Sequence, residues 1–178
     1  MVAATEWNVH DEERTARYRA DDLLPAAPGR WLRAVDVHAP ACAVFRRLCQ
    51  LRVAPYSYDW LDNWGRRSPR ELLPWCADLA VGQRVMTIFT LESFVEDVEM
   101  TLVMRPGWPQ RVFGELALTY VVRDAGAGST RLVAAMRVAD PAGAWAQTRR
   151  RLLARGDLLM MRKQLRTLAA LAEDDVLL

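Results

Sequence analysis

The sequence contains no long apolar run, although 52% of its 178 residues are hydrophobic. A helix that spans a bilayer needs about 20 consecutive apolar residues, so the sequence predicts no transmembrane segment. It also lacks the apolar core of a secretory signal near its start, where the charged run Asp11-Glu12-Glu13-Arg14 lies. We therefore expect a cytoplasmic globular protein with enough apolar side chains for a substantial core.

Cysteine is scarce, with three residues: Cys42, Cys49 and Cys76. An odd number does not suit a disulfide framework, and a chain of this length does not need one. If Cys42 and Cys49 share a helix, the seven residues between them correspond to about 10 Å of rise, which is beyond disulfide reach. The sequence predicts free thiols, most of them buried.

Histidine is scarcer still, since His10 and His38 are the only two. No spacing of histidine, cysteine and acidic residues matches a metal site, and no serine lies in a nucleophile elbow. Asp59 and Asp62 are three residues apart and invite a metal or acid–base interpretation, but both histidines are distant in sequence. We expect no metal and no cofactor, and the sequence does not support hydrolase chemistry.

Lysine is almost absent, because Lys163 is the only one and the remaining positive charge is arginine. The clusters Arg66-Arg67 with Arg70 and Arg149-Arg150-Arg151 with Arg155 have the charge to contact phosphates. The 24 basic residues are nearly offset by 22 acidic ones, which leaves a net charge of +2. No glycine-rich RNA-binding signature accompanies the arginines, so we interpret them as solvated faces and expect no nucleic-acid partner.

Two regions are distinguished by hydrophobic patterning. Residues 1–29 mix charge with alanine and proline and lack sustained periodicity, so we interpret them as an N-terminal extension that packs against the rest. Residues 30–178 then form one domain. We expect the extension to be the most dispensable part of the chain.

The domain is predicted to begin with a strand from Trp31 to His38, followed by a helix that Pro40 opens and that runs to Leu51. Alternating apolar residues then predict strands over 84–94, 98–105, 112–122 and 132–138. A long amphipathic helix over 145–174 is expected to end the chain. Its apolar stripe contains Leu158, Met161, Leu165, Leu168 and Ala172.

The last two strands are predicted to form a hairpin around Asp124–Gly128. Pairing Asp124 with Gly128 places Tyr120 opposite Leu132, and it makes the even-numbered face continuously apolar. The same register places Leu118 opposite Ala134, Leu116 opposite Met136, and Glu115 opposite Arg137 as an outer ion pair.

The segment from Leu51 to Pro74 is the most aromatic in the chain, with Tyr56, Tyr58, Trp60 and Trp64 beside Asp59, Asp62 and Asn63. Ligand pockets combine large apolar rings with a few polar groups in this way. The rings are consistent with a gate over a cavity or with a small satellite core. The polar residues either hold polar ligand groups or cap local turns.

This aromatic segment resembles one found in the SRPBCC, or START-like, superfamily, which contains polyketide cyclases, lipid-transfer domains and pollen-allergen-like proteins. The resemblance extends from about Arg30 to Ala172. It is also carried by Ala39-Pro40-Ala41-Cys42-Ala43-Val44-Phe45, Asp78-Leu79-Ala80-Val81-Gly82-Gln83-Arg84-Val85, Thr130-Arg131-Leu132-Val133 and Gly156-Asp157-Leu158-Leu159-Met160-Met161-Arg162-Lys163-Gln164-Leu165. It implies an α+β helix-grip fold, in which a curved antiparallel sheet wraps around a long C-terminal helix and two short helices follow the first strand.

The fold implies a function in binding a hydrophobic small molecule, such as a lipid or a polyketide-like compound, between the sheet and the C-terminal helix. A cyclase or dehydratase-type enzyme and a co-chaperone-like interaction module with a filled cavity are the alternatives, and a homo-oligomer is possible. Tyr120 either binds or protonates a ligand carbonyl or is a core tyrosine bonded to backbone. The candidate ligand-binding residues are Tyr56, Tyr58, Trp60, Trp64, Met100, Leu118, Tyr120, Met136, Met161 and Leu165.

Overall fold

The computed structural model describes residues 4–57, 68–139 and 146–177, with the side chains near the start of the last helix excepted. The described strands form one seven-stranded sheet in the order β1-β2-β7-β6-β5-β4-β3, antiparallel except where β1 runs parallel to β2. Their bounds are β1 Glu6–Trp7, β2 Gly29–Val37, β3 Arg84–Val85, β4 Phe89–Val95, β5 Glu99–Met104, β6 Leu116–Gly126 and β7 Ser129–Val138.

The helices agree with the periodicity of the sequence. Two short helices, α1 (Asp11–Thr15) and α2 (Arg19–Leu23), lie in the N-terminal extension, and α3 (Ala41–Cys49) begins directly after Pro40, as expected. A further short helix, α4, spans Trp108–Phe113. The long C-terminal helix α5 spans Ala146–Asp174 without a break at Gly156. None of the described helices is both long enough and apolar enough to cross a membrane.

The arrangement confirms the predicted fold class. Apolar side chains of α3 and α5 pack against one face of the sheet, and together they form the main core. Two short 3-10 helices, Gln50–Arg52 and Pro74–Ala77, follow α3 before the sheet resumes. The helix-grip architecture therefore accounts for the order of elements along the chain.

The predicted register of the last hairpin is wrong by two residues. Tyr120 pairs with Ala134 rather than Leu132, Leu118 pairs with Met136, and Ala117 rather than Glu115 faces Arg137. The turn is tighter than expected because Ala127 and Gly128 both have positive φ, at 51° and 73°, and a bulge follows Asp124. A shift of two residues keeps the same side chains on the same face, so the apolar inner face is unchanged.

The expected ion pair between Glu115 and Arg137 is consequently not formed. Arg137 instead donates hydrogen bonds to the backbone carbonyls of Leu24, Pro25 and Ala27 in the extension. A second correction concerns Val112, which was expected in a strand but lies in α4 and is 44% exposed. Pro109 near the start of α4 suits the first turn of a helix, and strand β6 begins only at Leu116.

The N-terminal extension covers the outer face of the sheet. Tyr18 packs there against Leu32, Ala34, Val133 and Ala135, which form a second buried cluster. The backbone N–H of Ala20 donates to the Thr119 hydroxyl at 2.9 Å, and Glu13, which is fully buried, pairs with Arg131. Both faces of the sheet are therefore covered.

Candidate ligand site between the helix and the sheet

The candidate residues that the structure describes lie together in the main core, between α5 and the inner face of the sheet. Each is buried, with at most 6% of its surface exposed. They are Tyr56, Met100, Leu118, Tyr120, Met136, Met161 and Leu165. Tyr58, Trp60 and Trp64 lie outside the described residues.

Strand register explains which side chains become neighbours on the inner face. Arg33 on β2 pairs with Ala134 on β7, Ala134 pairs with Tyr120 on β6, and Tyr120 pairs with Met100 on β5. These four residues form one row across the sheet. Ala134 is the smallest of the four and lies between the longer side chains of Arg33 and Tyr120.

Tyr120 finds its hydrogen-bond partner on α5. Its hydroxyl donates to the Gln164 side-chain oxygen at 2.5 Å, and the Met161 sulfur lies 4.0 Å away. Burial raises the pKa of Tyr120, and the negative charge of Asp157 raises it further. Tyr120 is therefore a neutral phenol bonded to a side-chain amide rather than to backbone, the partner that a core tyrosine was expected to have.

Gln164 connects this tyrosine to two loops. Its amide nitrogen donates to the Pro55 carbonyl oxygen at 2.6 Å and contacts the Met86 sulfur at 3.2 Å. Sequence reasoning missed Gln164, although a signal was present. Its position in the helix places it between Met161 and Leu168 of the apolar stripe, where a polar residue needs a buried partner.

Arg33 and Asp157 form a second polar pair over the same row of the sheet. The Arg33 guanidinium lies 3.1 Å from an Asp157 carboxylate oxygen, and it also donates to the carbonyls of Ala4, Thr5 and Leu32. The Arg33 Nε atom has no hydrogen-bond partner among the described residues. The sequence contained a signal for this pair, because Arg33 is a charged residue that falls on the inner face of β2, between Trp31 and Val35.

The electrostatics of this pair are dominated by desolvation. Burial raises the pKa of Asp157 to about 6, and the attraction of Arg33 opposes this shift only in part. Burial likewise lowers the pKa of Arg33, against the attraction of Asp157. This carboxyl group, whose side chain is 18% exposed, can therefore gain or lose a proton near pH 6.

Other features of the described residues lie away from this interior. One surface pocket of about 450 Å³ is lined by Trp7, Asn8, Val35, Asp36 and Arg166, and another lies beside α1 and α2. Within residues 4–57, 68–139 and 146–177, no group of three potential metal-ligating side chains comes together. The cysteines are free thiols, with Cys49 and Cys76 buried and Cys42 exposed.

Comparison with known proteins places this geometry in a structural class. The Zhui aromatase/cyclase from a Streptomyces species is 17% identical, covers 83% of this chain and 94% of its own, and has a TM-score of 0.51. The di-domain ARO/CYC protein BexL is 14% identical over 81% of this chain and 46% of its own, with a TM-score of 0.50. A structural-genomics protein from Chromobacterium violaceum is 15% identical over 82% of this chain and 98% of its own, with a TM-score of 0.51.

These likenesses concern the fold, because the identities are low. The chain has a helix-grip fold like that of these solved structures, which is the fold that the resemblance in its sequence implied. No protein-family model and no curated protein sequence matches the chain.

Proposed function

We propose that this protein binds a hydrophobic small molecule between the inner face of the sheet and α5. The observation that carries this proposal is the composition of that interior. Flexible methionines from β5, β7 and α5 surround a buried tyrosine, with Met100, Met136 and Met161 all in one cluster. Methionine is unbranched and adapts to irregular shapes, so such a lining can rearrange around a guest molecule.

The energetics of such binding are favourable without specialised contacts. Each buried methylene contributes about 0.8 kcal/mol, so an alkyl chain of ten carbons gains roughly 8 kcal/mol before the costs of association. Association costs of about 4 kcal/mol or more reduce this gain to the millimolar range for ten carbons, so micromolar affinity requires a longer alkyl chain or an added hydrogen bond. One structural neighbour is an aromatase/cyclase, which is consistent with a ligand of this kind.

Leu165→Trp tests the proposal. Leu165 is fully buried on the stripe of α5 that faces the sheet, so a larger ring there fills the space that a ligand needs. We expect the variant to fold, to lose about 1–3 kcal/mol of stability from overpacking, and to take up no anthroyloxy-labelled fatty acid.

Leu159→Trp on the same helix is the matched control, because Leu159 is 59% exposed and should retain uptake. A folded Leu165→Trp protein that still binds the probe would place the ligand elsewhere. If the wild-type protein took up no probe and carried no small molecule in native mass spectrometry, an interaction module with a filled interior would be the better interpretation.

A second function, an enzyme of the cyclase or dehydratase type, is favoured by one specific observation. Asp157, with a pKa raised to about 6, lies in the same interior as Tyr120, whose pKa its charge raises. A carboxyl group that titrates near neutral pH suits general acid–base catalysis. Formation of a cyclised product from a poly-β-carbonyl compound would separate this function from binding alone.

A further inference from the structure

The direction of each hydrogen bond around Gln164 is fixed by the chemistry of its partners. The Pro55 carbonyl oxygen can only accept a hydrogen bond, so the amide nitrogen of Gln164 must face it, at 2.6 Å. The amide oxygen of Gln164 is then the atom that faces Tyr120, at 2.5 Å. Tyr120 is therefore obliged to donate its hydroxyl hydrogen to Gln164.

The hydrogen-bond donors and acceptors of Tyr120 and Gln164 determine which hydrogen bonds remain available to a ligand. A tyrosine hydroxyl has one hydrogen to donate and two lone pairs that accept. The hydrogen of Tyr120 is used by Gln164, and the amide nitrogen of Gln164 is used by Pro55 and by the Met86 sulfur. The open capacity of the Tyr120–Gln164 pair is for accepting hydrogen bonds.

Backbone strain on both sides of Gln164 indicates that this arrangement is held firmly. Tyr56, next to Pro55, has φ of 55°, and Met86 and Thr87 have φ of 46° and 65°. Ile88 N–H donates to the Met86 carbonyl at 2.7 Å, which closes a three-residue turn around Thr87. Non-glycine residues keep such conformations only where the surroundings fix them, and strained sites of this kind cluster at ligand-binding positions.

We propose that the Tyr120–Gln164 pair selects hydrophobic ligands that carry a hydroxyl group, such as a phenol or an enol, and accepts a hydrogen bond from that group. This inference rests on the proposed function, because it concerns the same interior. A ligand that only accepts hydrogen bonds, such as an ether or a ketone, would have to take the Tyr120 hydrogen from Gln164 and leave a buried amide oxygen unpaired. A hydroxyl-bearing ligand breaks no existing bond.

The adaptable surroundings of Tyr120 are compatible with this role. On the sheet, its cross-strand neighbours are Met100 and the small Ala134, and Met161 lies beside its hydroxyl. Two of these neighbours are methionines, which can change rotamer to admit a ring or a chain. The tyrosine stays protonated over the physiological range, since burial raises its pKa.

The test compares two fluorescent probes of similar shape, 2-naphthol and 2-methoxynaphthalene, with the full-length protein. The ratio of their dissociation constants in the double variant Tyr120→Phe/Gln164→Leu serves as the reference, because that variant lacks both the hydroxyl and the amide oxygen and its ratio contains the difference in hydrophobicity between the probes. Relative to that reference, we expect the wild type to favour 2-naphthol roughly fivefold to tenfold, the size of one buried neutral hydrogen bond.

Gln164→Leu is the more discriminating variant, because it leaves the Tyr120 hydroxyl hydrogen without its bond to the Gln164 side chain. Tyr120 can then donate to an ether oxygen, so we expect the preference for 2-naphthol to shrink or to reverse toward 2-methoxynaphthalene. Tyr18→Phe is the matched control, since Tyr18 donates its buried hydroxyl to the Glu13 carbonyl at 3.0 Å on the outer face of the sheet. That variant should keep the wild-type ratio.

The outcomes separate the failure of this inference from the failure of the proposed function. If both probes bind and Leu165→Trp excludes both, but the ratio is the same in wild type and the double variant Tyr120→Phe/Gln164→Leu, binding stands and the hydroxyl selectivity is refuted. A preference that survives unchanged in Gln164→Leu refutes it as well. If neither probe nor a labelled fatty acid binds the wild type, both proposals fall together.

Discussion

Asp157 shows how strongly the fold controls the chemistry of a single side chain. It lies on α5 with its side chain 18% exposed, and Arg33 is its ion-pair partner among the described residues. Desolvation outweighs the attraction of Arg33, so the pKa of Asp157 is raised to about 6. Arg33 also donates hydrogen bonds to the backbone carbonyls of Ala4, Thr5 and Leu32, so its guanidinium is divided between Asp157 and these carbonyls.

This pKa predicts a pH dependence of stability. Between about pH 4 and 6 the folded protein binds a proton at Asp157 that the unfolded chain releases, so this group makes stability fall as pH rises through that window. Asp157→Asn removes the dependence. The free energy of unfolding of Asp157→Asn minus that of wild type should be about 1–3 kcal/mol larger at pH 7 than at pH 4.

Urea unfolding at a series of pH values measures this difference. Asp174→Asn is the matched control, because Asp174 lies on the same helix but is exposed. Parallel stability curves for wild type and Asp157→Asn would show that Asp157 has an ordinary pKa in the folded protein.

The residues that form the candidate site were only partly predictable from the sequence. Apolar periodicity identified Leu118, Met161 and Leu165, because burial follows directly from a strand or helix period. Gln164 and Arg33 were missed, since a polar residue on an apolar face is explained only by its partner, and the partners here are far away in sequence. Gln164 bonds Tyr120, 44 residues away, and Arg33 pairs with Asp157, 124 residues away.

At the scale of elements, the N-terminal extension is closely integrated with the sheet. Arg131 on β7 binds both carboxylate oxygens of Glu13 on α1, at 2.7 and 3.0 Å, and the His10 backbone N–H adds a third bond. Burial alone would raise the pKa of Glu13, but these bonds outweigh it and lower the pKa. That the extension is dispensable stays a prediction, and these contacts count against it.

Glu13→Gln tests the importance of the extension. Removing one charge of a buried pair leaves Arg131 without its main partner, so we expect a loss of about 3–5 kcal/mol in the free energy of unfolding. The loss should diminish at low pH. The lowered pKa of Glu13 means that its contribution is present above the unfolded-state pKa and disappears as pH falls through the folded-state value.

Chemical denaturation of Glu13→Gln and of its neighbour Glu12→Gln provides the measurement and its control, since Glu12 is exposed on the same helix. Equal stabilities for the two variants would mean that α1 is held to the sheet by its apolar contacts alone, and the extension would again be a candidate for removal.

The order of helices and strands was predictable where the hydrophobic periodicity extended over many residues. The strand register of the β6–β7 hairpin was not. The strand–helix order and the long α5 follow from periodicity over many residues. The hairpin register depended instead on three residues of the turn, where Gly126, Ala127 and Gly128 all have positive φ. Because alanine rarely adopts positive φ, a tight turn at Ala127 could not be predicted from residue type.

At the scale of the whole molecule, α5 is attached by polar contacts along its length, with apolar packing between them. Arg33 binds Asp157 in its first half, Gln164 bonds Tyr120 near its middle, and Arg47 on α3 pairs with Asp175 just beyond its end. These contacts fix the height of the helix above the sheet. The interior between them is largely apolar and contains Met100, Met136 and Met161.

Such an arrangement predicts that ligand binding and global stability are linked. A molecule that binds only the folded state at a concentration 100 times its dissociation constant adds about 2.7 kcal/mol. For a chain of this size, this corresponds to a rise in melting temperature of roughly 5–10 °C.

We expect 1-dodecanol, which combines an alkyl chain with a hydroxyl group, to raise the melting temperature in proportion to the logarithm of its concentration once that concentration exceeds the dissociation constant. Differential scanning calorimetry of wild type, Leu165→Trp and Leu159→Trp measures the effect, and it should be absent only from Leu165→Trp. An equal rise in all three proteins would place the alcohol on the surface, and a fall in all three would mean that it binds the unfolded chain more strongly than the folded one.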